Sequence, residues 1–539
     1  MKRFLWLGLT LSLYLVISGC GDTFRPIIIP NPPVFPNPAA AHTVVSINDN
    51  GTVVAGTAMV VDVSGDTDVS VSNVGLAPVY AVQQSASAIL VANHSVTGAL
   101  SDSITKLNFG STTISSTTTI SLPANSAPNF VAVAPSAAIA YVSLPGYTPP
   151  SVGVINISSN NLVNTIAVGS MPDAIAVTPN NTKVYVANQG DGTVDGFTIT
   201  NTVDLTTRTI NGSFNAPLWL SARSDSQRVY VLNGNGVVST IDTTSTAGPD
   251  SVIDASVNVP GAASMLYDGN LNRLYIPWFS QSATQGQLTI LDVSQSTPVV
   301  LTGAPILISP VAAAARAPGD VCSTFSPGAV TPTAVASLPD GSRAYVGSYA
   351  SFEVDVTIST PISSNGVDTT YTYSLQPGTP DLLPGMVITV SGATPNDFNG
   401  TFVILSVGGG TFEVANAPTD QYVGGGTGAA PNICPQMTVV NTMSNSVETS
   451  IAIPGSAAYN AFCSPAQTPR APRFRLTMAV GGDSSRAYLA SCDGGNVNIV
   501  DTSSETYVLN LPAPIGTLSP IPPNPQNPPQ NPVFLLAGP

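Results

Sequence analysis

Charge is what this chain has least of. Asp, Glu, Lys and Arg together make up 8% of its 539 residues, and 15 basic residues stand against 30 acidic ones, for a net charge of -15. No nucleic acid is expected as a partner, because phosphate-backbone binding depends on clustered Lys and Arg. Histidine is scarcer still: with only His42 and His94, no site can be assembled from several imidazoles. No C-x-x-C spacing occurs, and both histidines lie far from the paired cysteine candidates in sequence, which leaves no metal-ligand pattern. The glycine runs at 408–410 and 424–426 are followed by neither Lys-Ser/Thr nor a helical pattern, so they read as flexible turns rather than phosphate loops. The sequence therefore points to no catalytic residue, no metal and no cofactor.

What replaces charge is a mixture of apolar and small polar residues. Hydrophobic residues reach 43%, and 46 Gly and 48 Pro punctuate the chain, the profile of a turn-rich all-β protein. One phrase recurs: AILVAN (88–93), AYVS (140–143), VYVAN (184–188), VYVLN (229–233), LYIP (274–277), AYVGS (344–348) and AYLAS (487–491). Measured at Leu90, Tyr141, Tyr185, Tyr230, Tyr275, Tyr345 and Tyr488, the spacings are 51, 44, 45, 45, 70 and 143 residues. Between Pro172 and Ile210 an apolar strand turns at Asn180-Asn181 into VYVAN, and a Gly/Asp turn leads to two further strands. A period near 45 with four short strands is the spacing of a β-propeller blade. Blades pack face to face, so their inner strands are apolar on both sides while outer strands alternate.

VYVAN at 184–188, the A-V-x-P turn at Ala176 to Pro179 and the N-x-V run at Asn201 to Val203 resemble the YVTN-type β-propeller repeat, over roughly residues 43–518. The resemblance implies a fold and not an activity, since such repeats serve many roles. Seven first strands, beginning near Val79, Asn129, Asp173, Leu218, Ala262, Thr333 and Phe474, predict a seven-bladed ring. The segment AMVVDVSGDTDVSVSNVG (58–75) resembles the last two strands of a blade. Either it joins the C-terminal blade and closes seven blades, or it contributes to an eighth.

The two long spacings locate insertions. About 25 extra residues fall in the loop 306–332, which holds Cys322, and near 98 fall between Tyr345 and Tyr488. Most of the latter lie at 352–433, where TYTYSL, MVITVSG, NGTFVILSV and GTFEVAN are strand signals separated by Gly-rich turns. Residues 43–351 and 434–518 are thus read as the propeller and 352–433 as a small inserted β domain, similar to β modules of phage-tail and surface proteins. In a four-stranded blade, the loop entering the first strand and the loop joining the second and third open on one face. That geometry predicts the disulfides Cys322–Cys434 and Cys463–Cys492, each worth on the order of 3 to 5 kcal/mol by chain entropy.

The N-terminus, MKRFLWLGLTLSLYLVISGC, begins with Lys2 and Arg3, runs apolar from Phe4 to Ile17 and ends in small residues before Cys20. Residues 1–19 read as a signal peptide, too short and wrongly flanked to span a membrane. Ile-Ser-Gly-Cys resembles a bacterial lipobox, which implies lipid attachment at Cys20 and a membrane partner through the lipidated N-terminus. Gly21 and Asp22 leave the simplest inner-membrane retention signal absent, so a cell-envelope lipoprotein of the outer membrane or cell surface is expected. Residues 20–42, with six prolines between 21 and 41, form a Pro-rich tether. Residues 519–539 are a Pro/Asn-rich tail, read as either without fixed structure or laid along the ring.

Asp173, Asp191, Asp195, Asp242, Asp292 and Asp501 are the acidic candidates. Asp242, Asp292 and Asp501 share the phrases I-D-T, L-D-V and V-D-T at the end of a third strand, the mark of turn formers. Trp219, Trp278 and Phe279 could present a sugar-stacking face, and otherwise pack between blades. The reading that fits is a lipid-anchored binding or scaffold module whose loop-elaborated face contacts a protein or glycan. Scarce catalytic groups weigh against an enzyme; the alternative is a hydrolase or lyase with its active site at the central channel.

Overall fold

The computed structural model describes residues 42–538 except 52–53, 95–101, 200–206, 246–248, 325–326, 378, 380, 459–462, 464–473 and 516–528. Cys20, the expected signal peptide and the expected tether up to residue 41 lie outside the described residues. Regular structure among the described residues is all β apart from three short 3-10 turns.

Seven contiguous stretches each contain a four-stranded antiparallel meander. Their inner strands are Pro78–Ser85, Val131–Val133, Pro172–Val177, Pro217–Ala222, Leu266–Asp268, Thr331–Ser337 and Leu476–Val480, which define blades one to seven. The recurring phrase is the second strand of each. In blade three, Lys183–Asn188 pairs with Pro172–Val177 on one edge and Thr193–Thr198 on the other. All six phrase tyrosines are at most 1% exposed, because neighbouring blades cover the second strand on both faces. The turn read at Asn180-Asn181 places Asn181 at φ 59°, and Asn272 stands at φ 49° in the matching turn of blade five. Asn tolerates that left-handed conformation better than most residues.

The N-terminal segment does not join blade seven. Thr43–Asp49, Ala55–Asp62 and Thr67–Leu76 form three strands of a further sheet, and its inner strand is Asn531–Ala537 from the other end of the chain. That inner strand packs against the inner strands of blades seven and one. The ring is therefore seven contiguous blades plus a composite closing sheet, the second of the two readings of the N-terminal segment. The end of the C-terminal tail is not an appendage: Val533 and Leu535 are buried in the closing sheet. Pairing the two chain ends removes strand edges that an open ring would expose.

Five of the fifteen basic residues occupy one register, two residues before the phrase tyrosine: Lys183, Arg228, Arg273, Arg343 and Arg486. Each reaches the next sheet. Lys183 Nζ donates to the carbonyls of Thr243 (2.7 Å) and Ser245 (2.9 Å) and pairs with Asp250 (2.8 Å). Arg228 Nε donates to the Ser296 carbonyl (3.2 Å) and Arg273 to that of Thr442. Arg343 pairs with Glu505 (3.1 Å). Arg486 pairs with Asp66 of the closing sheet (3.0 Å) and with Asp501 of its own blade (2.5 Å). Burial alone would raise the Asp501 carboxyl, but hydrogen bonds from Ser503 and Ser504 and the Arg486 charge outweigh it and hold the pKa at about 2, against an ordinary 3.8. A depressed carboxyl stabilises the fold above its unfolded pKa and ceases to do so as pH falls through its folded one. Thermal midpoints of the wild type and Asp501→Asn should therefore differ at pH 5 and converge as pH falls from about 4 to 2; a constant difference down to pH 2 would remove this account.

Candidate functional site

The loop entering each inner strand and the turn joining second and third strands share one end of the ring, as the register Pro172↔Asn188↔Thr193 shows in blade three. At this end Asn188 is a clasp. Its Nδ2 donates to Thr193 Oγ1 (3.0 Å) and Asp195 Oδ2 (2.9 Å), while Asp195 and Asp191 accept the backbone N–H groups of Gly169 (2.9 Å) and Ser170 (2.8 Å) in the entering loop. Asn93 and Asn233 hold the N–H groups of Gly75 and Asn215 in the same way, each at 3.0 Å. Asp242, Asp292 and Asp501 accept from Thr244, Ser294 and Ser503 at the opposite ends of their blades. Five of the six acidic candidates thus hold loops and turns.

Blade six departs from the repeat at the end where Asn188 sits in blade three. Its second strand, Arg343–Ser364, and its third, Thr427–Asn441, stay paired without a shift from Arg343↔Asn441 to Thr357↔Thr427. Both run out of the blade into a closed barrel of six strands, the other four being Thr369–Leu375, Thr411–Val414, Gly400–Gly408 and Val387–Ser391. One strand records the change of surroundings. Ala344, Tyr345 and Val346 are all buried, as in any blade, whereas Phe352, Val354, Val356 and Ile358 are buried in alternation with exposed Glu353, Asp355 and Thr357. The barrel is filled: Tyr371 stacks on Phe412 (5.0 Å between centroids) and donates its hydroxyl to the Phe398 carbonyl (2.8 Å). Gly409 and Gly410 make a hairpin turn in it, and Gly424 to Gly426 lead into the returning strand.

Cys434, where the barrel joins the blade, is bonded to Cys322 in the loop entering blade six, and Cys463 is bonded to Cys492 at the end of blade seven's second strand. The entering loop of blade six has further ties. Gln436 accepts from the Val311 N–H and donates to the Ser309 carbonyl, each at 2.8 Å, and Arg316 and Asp320 form a buried ion pair (3.6 Å). A cleft of about 400 Å³ opens beside the barrel base, lined by Ser351, Phe352, Glu353, Pro431 and Asn432.

The central channel is stopped by rings. Tyr80, Phe130, Trp219, Phe474 and Phe534 converge from blades one, two, four and seven and the closing sheet. Tyr80 lies 4.4 Å from Phe130 and 4.6 Å from Phe534, Phe130 lies 5.2 Å from Trp219, and Trp219 reaches Phe474 at 6.1 Å. Edge-to-face and tilted contacts at such distances are the favourable geometry for aromatic pairs. Burial pushes the Tyr80 phenol up to about 12, so it stays neutral. All five rings share a signal that the sequence reading missed: each stands two residues after a proline, in P-V-Y, P-N-F, P-L-W, P-R-F and P-V-F, where blades three and six have Ala174 and Ala334. Trp219, expected between blades or on a sugar-binding face, belongs to this hub. Trp278 donates its indole N–H to Thr289 (3.0 Å) within blade five.

At the mouth beside the hub, His94 Nδ1 lies 3.2 Å from Asn129 Oδ1, and Asn129 Nδ2 donates to Asp173 Oδ1 (3.4 Å). Asp102 accepts from Ser126 Oγ (3.3 Å) and the Ala127 N–H (2.9 Å). These residues come from three blades and all are buried. Asp173 was legible as a candidate, but its neighbours were not, because only ring closure brings them together. Among the described residues, no group of three or more His, Cys, Asp or Glu is placed to hold a metal ion.

Inner strands arranged in a ring around a plugged axis define a β-propeller. No family model matches the chain, and no curated protein matches it. Solved structures similar to it include a protein of unknown function from Desulfotomaculum acetoxidans (11% identity, 63% of this chain and 96% of that one, TM-score 0.43). A dihydro-heme d1 dehydrogenase, NirN, is 9% identical over 92% of this chain and 75% of its own (TM-score 0.48). The periplasmic gluconolactonase of Pseudomonas aeruginosa is 14% identical over 48% and 82% (TM-score 0.38). Likeness at this level concerns the fold alone.

Proposed function

We propose that this chain is a lipid-anchored, exported propeller of the YVTN-repeat type that acts as a binding or scaffold module of the bacterial cell envelope, at the outer membrane or cell surface. Cys20 would carry the lipid, and the Pro-rich tether would hold the ring off the membrane. The contact surface would be the face bearing the barrel, with a protein or a glycan as ligand. The observation that carries this reading is the concentration of departures from the repeat: the barrel, the cleft at its base and the Cys322–Cys434 clip all belong to one end of blade six. Photo-crosslinking amino acids placed at Glu353 and Thr401 should capture a saturable ligand in intact envelopes, while the same group at Thr244 and Ser503, on turns at the other end of the ring, should not. Equal capture from both ends, or none, would sink the proposal. Cys20→Ala should in addition move the protein from the membrane to the soluble fraction.

A second reading is supported by the His94–Asn129–Asp173 chain: a hydrolase or lyase at the channel mouth. The aromatic plug would restrict such chemistry to the mouth. The binding reading expects His94→Ala and Asp173→Asn to leave crosslinking at Glu353 unchanged, whereas the enzyme reading expects them to abolish turnover of a substrate found by screening.

A further inference from the structure

The second disulfide sits at the joint where the ring closes. Cys463 and Cys492 are 0% and 1% exposed, and they share an apolar cluster with Val45 and Ile47 of the closing sheet, Val533 of the terminal strand, and Ala81, Ile89 and Val91 of blade one. Those partners come together only when the chain ends meet. The turn that begins at Cys492 is also the seat of the incoming strand. Asn531 Nδ2 donates to the Cys492 carbonyl (2.8 Å), the Gln530 N–H donates to the Pro514 carbonyl (2.9 Å), and Gln530 Oε1 accepts from Thr57 Oγ1 (2.8 Å). Gly495 in that turn has φ 61°, and a Cβ there would meet Pro529 at 2.5 Å; the turn is shaped to the close approach of Pro529.

We propose that the Cys463–Cys492 bond is a closure latch: it forms while the seat is open, is covered when Asn531–Ala537 docks, and fixes the turn on which that strand rests. The chemistry requires this order. Each thiol–disulfide exchange needs a third sulfur to approach the bond, and in the closed ring, among the described residues, both cysteines are at most 1% exposed. The oxidant is a disulfide-bearing oxidoreductase or low-molecular disulfide of the export compartment. One cysteine thiolate attacks it to give a mixed disulfide and release one thiolate of the oxidant, and the second cysteine thiolate then displaces the other; the oxidant leaves as two thiol groups, in one molecule for the oxidoreductase and in two for the small disulfide, carrying both electrons. Ring closure is thereby tied to an oxidising compartment.

The test uses the full-length oxidised protein. Under native conditions dithiothreitol is added, free thiols are trapped with N-ethylmaleimide, and each cysteine is mapped by mass spectrometry. Val533→Asp, which unseats the strand, should speed reduction of Cys463–Cys492 at least tenfold and leave Cys322–Cys434 unchanged as an internal control. Should that variant unfold, which accelerated reduction of both bonds would reveal, Asn531→Ala carries the same comparison with one hydrogen bond removed. In the reverse direction, Cys492→Ser should raise amide exchange of residues 531–537 at least tenfold without altering barrel residues 387–414. Unchanged reduction of Cys463–Cys492 in Asn531→Ala, together with unchanged exchange of the terminal strand in Cys492→Ser, would overturn the latch.

Discussion

A chain that stops at Ile515 is expected to lose most of its folding stability, although everything removed lies beyond the last repeat. The deleted strand buries Val533 and Leu535 and partly buries Phe534 and Leu536. At about 1.5–3 kcal/mol per apolar side chain, the loss is on the order of 6 kcal/mol or more, comparable with the whole stability of a typical domain. It also strips Thr43–Asp49 of one of its two pairing partners and removes one ring from the hub. Scanning calorimetry should show a much lower midpoint, and size exclusion should show association through the freed strand edge. A midpoint equal to that of the full chain would mean that the ring does not depend on closure.

The second large effect concerns the barrel clip. Replacing Cys322 and Cys434 together by Ser removes a cross-link between residues 112 apart in sequence. Loop-entropy accounting puts its contribution at about 4–5 kcal/mol, against about 3–4 kcal/mol for the shorter Cys463–Cys492 loop of 29 residues. The barrel base should nevertheless stay docked, because Gln436 still holds the entering loop, Arg316 donates to the Ile453 carbonyl and Asp320 accepts from the Gly455 N–H. Denaturant titration should therefore show a lower midpoint, while the environment of Tyr371 in the barrel interior, read by near-ultraviolet circular dichroism, stays native. If the double substitution left the midpoint in place, the entropic account of this clip would be wrong.

Much of the ring was legible in the sequence. Two-sided burial of a second strand demands an uninterrupted apolar run around Tyr, so the phrase from AILVAN to AYLAS marked one strand per blade. Four of its strand signals likewise marked the barrel, because small β modules need Gly-rich turns between short alternating strands. The cation two residues before Tyr and the ring two residues after Pro were equally present in the sequence, but their meaning was not. A lysine at position 183 says nothing of Asp250 until adjacent blades are side by side, and five prolines with five aromatics become a plug only when their strands share an axis.

The sequence by itself determined the repeat, the number of contiguous blades and the position of the insertion, since each follows from periodic burial along a single strand. Only the tertiary structure decided how the ring ends. Val44 and Leu535 are separated by nearly the full length of the described chain and meet in one sheet, and no local pattern can announce a partner that distant. The mouth formed by His94, Asn129 and Asp173, like the joint that covers Cys463 and Cys492, depends on contacts between separate blades and follows from closure for the same reason.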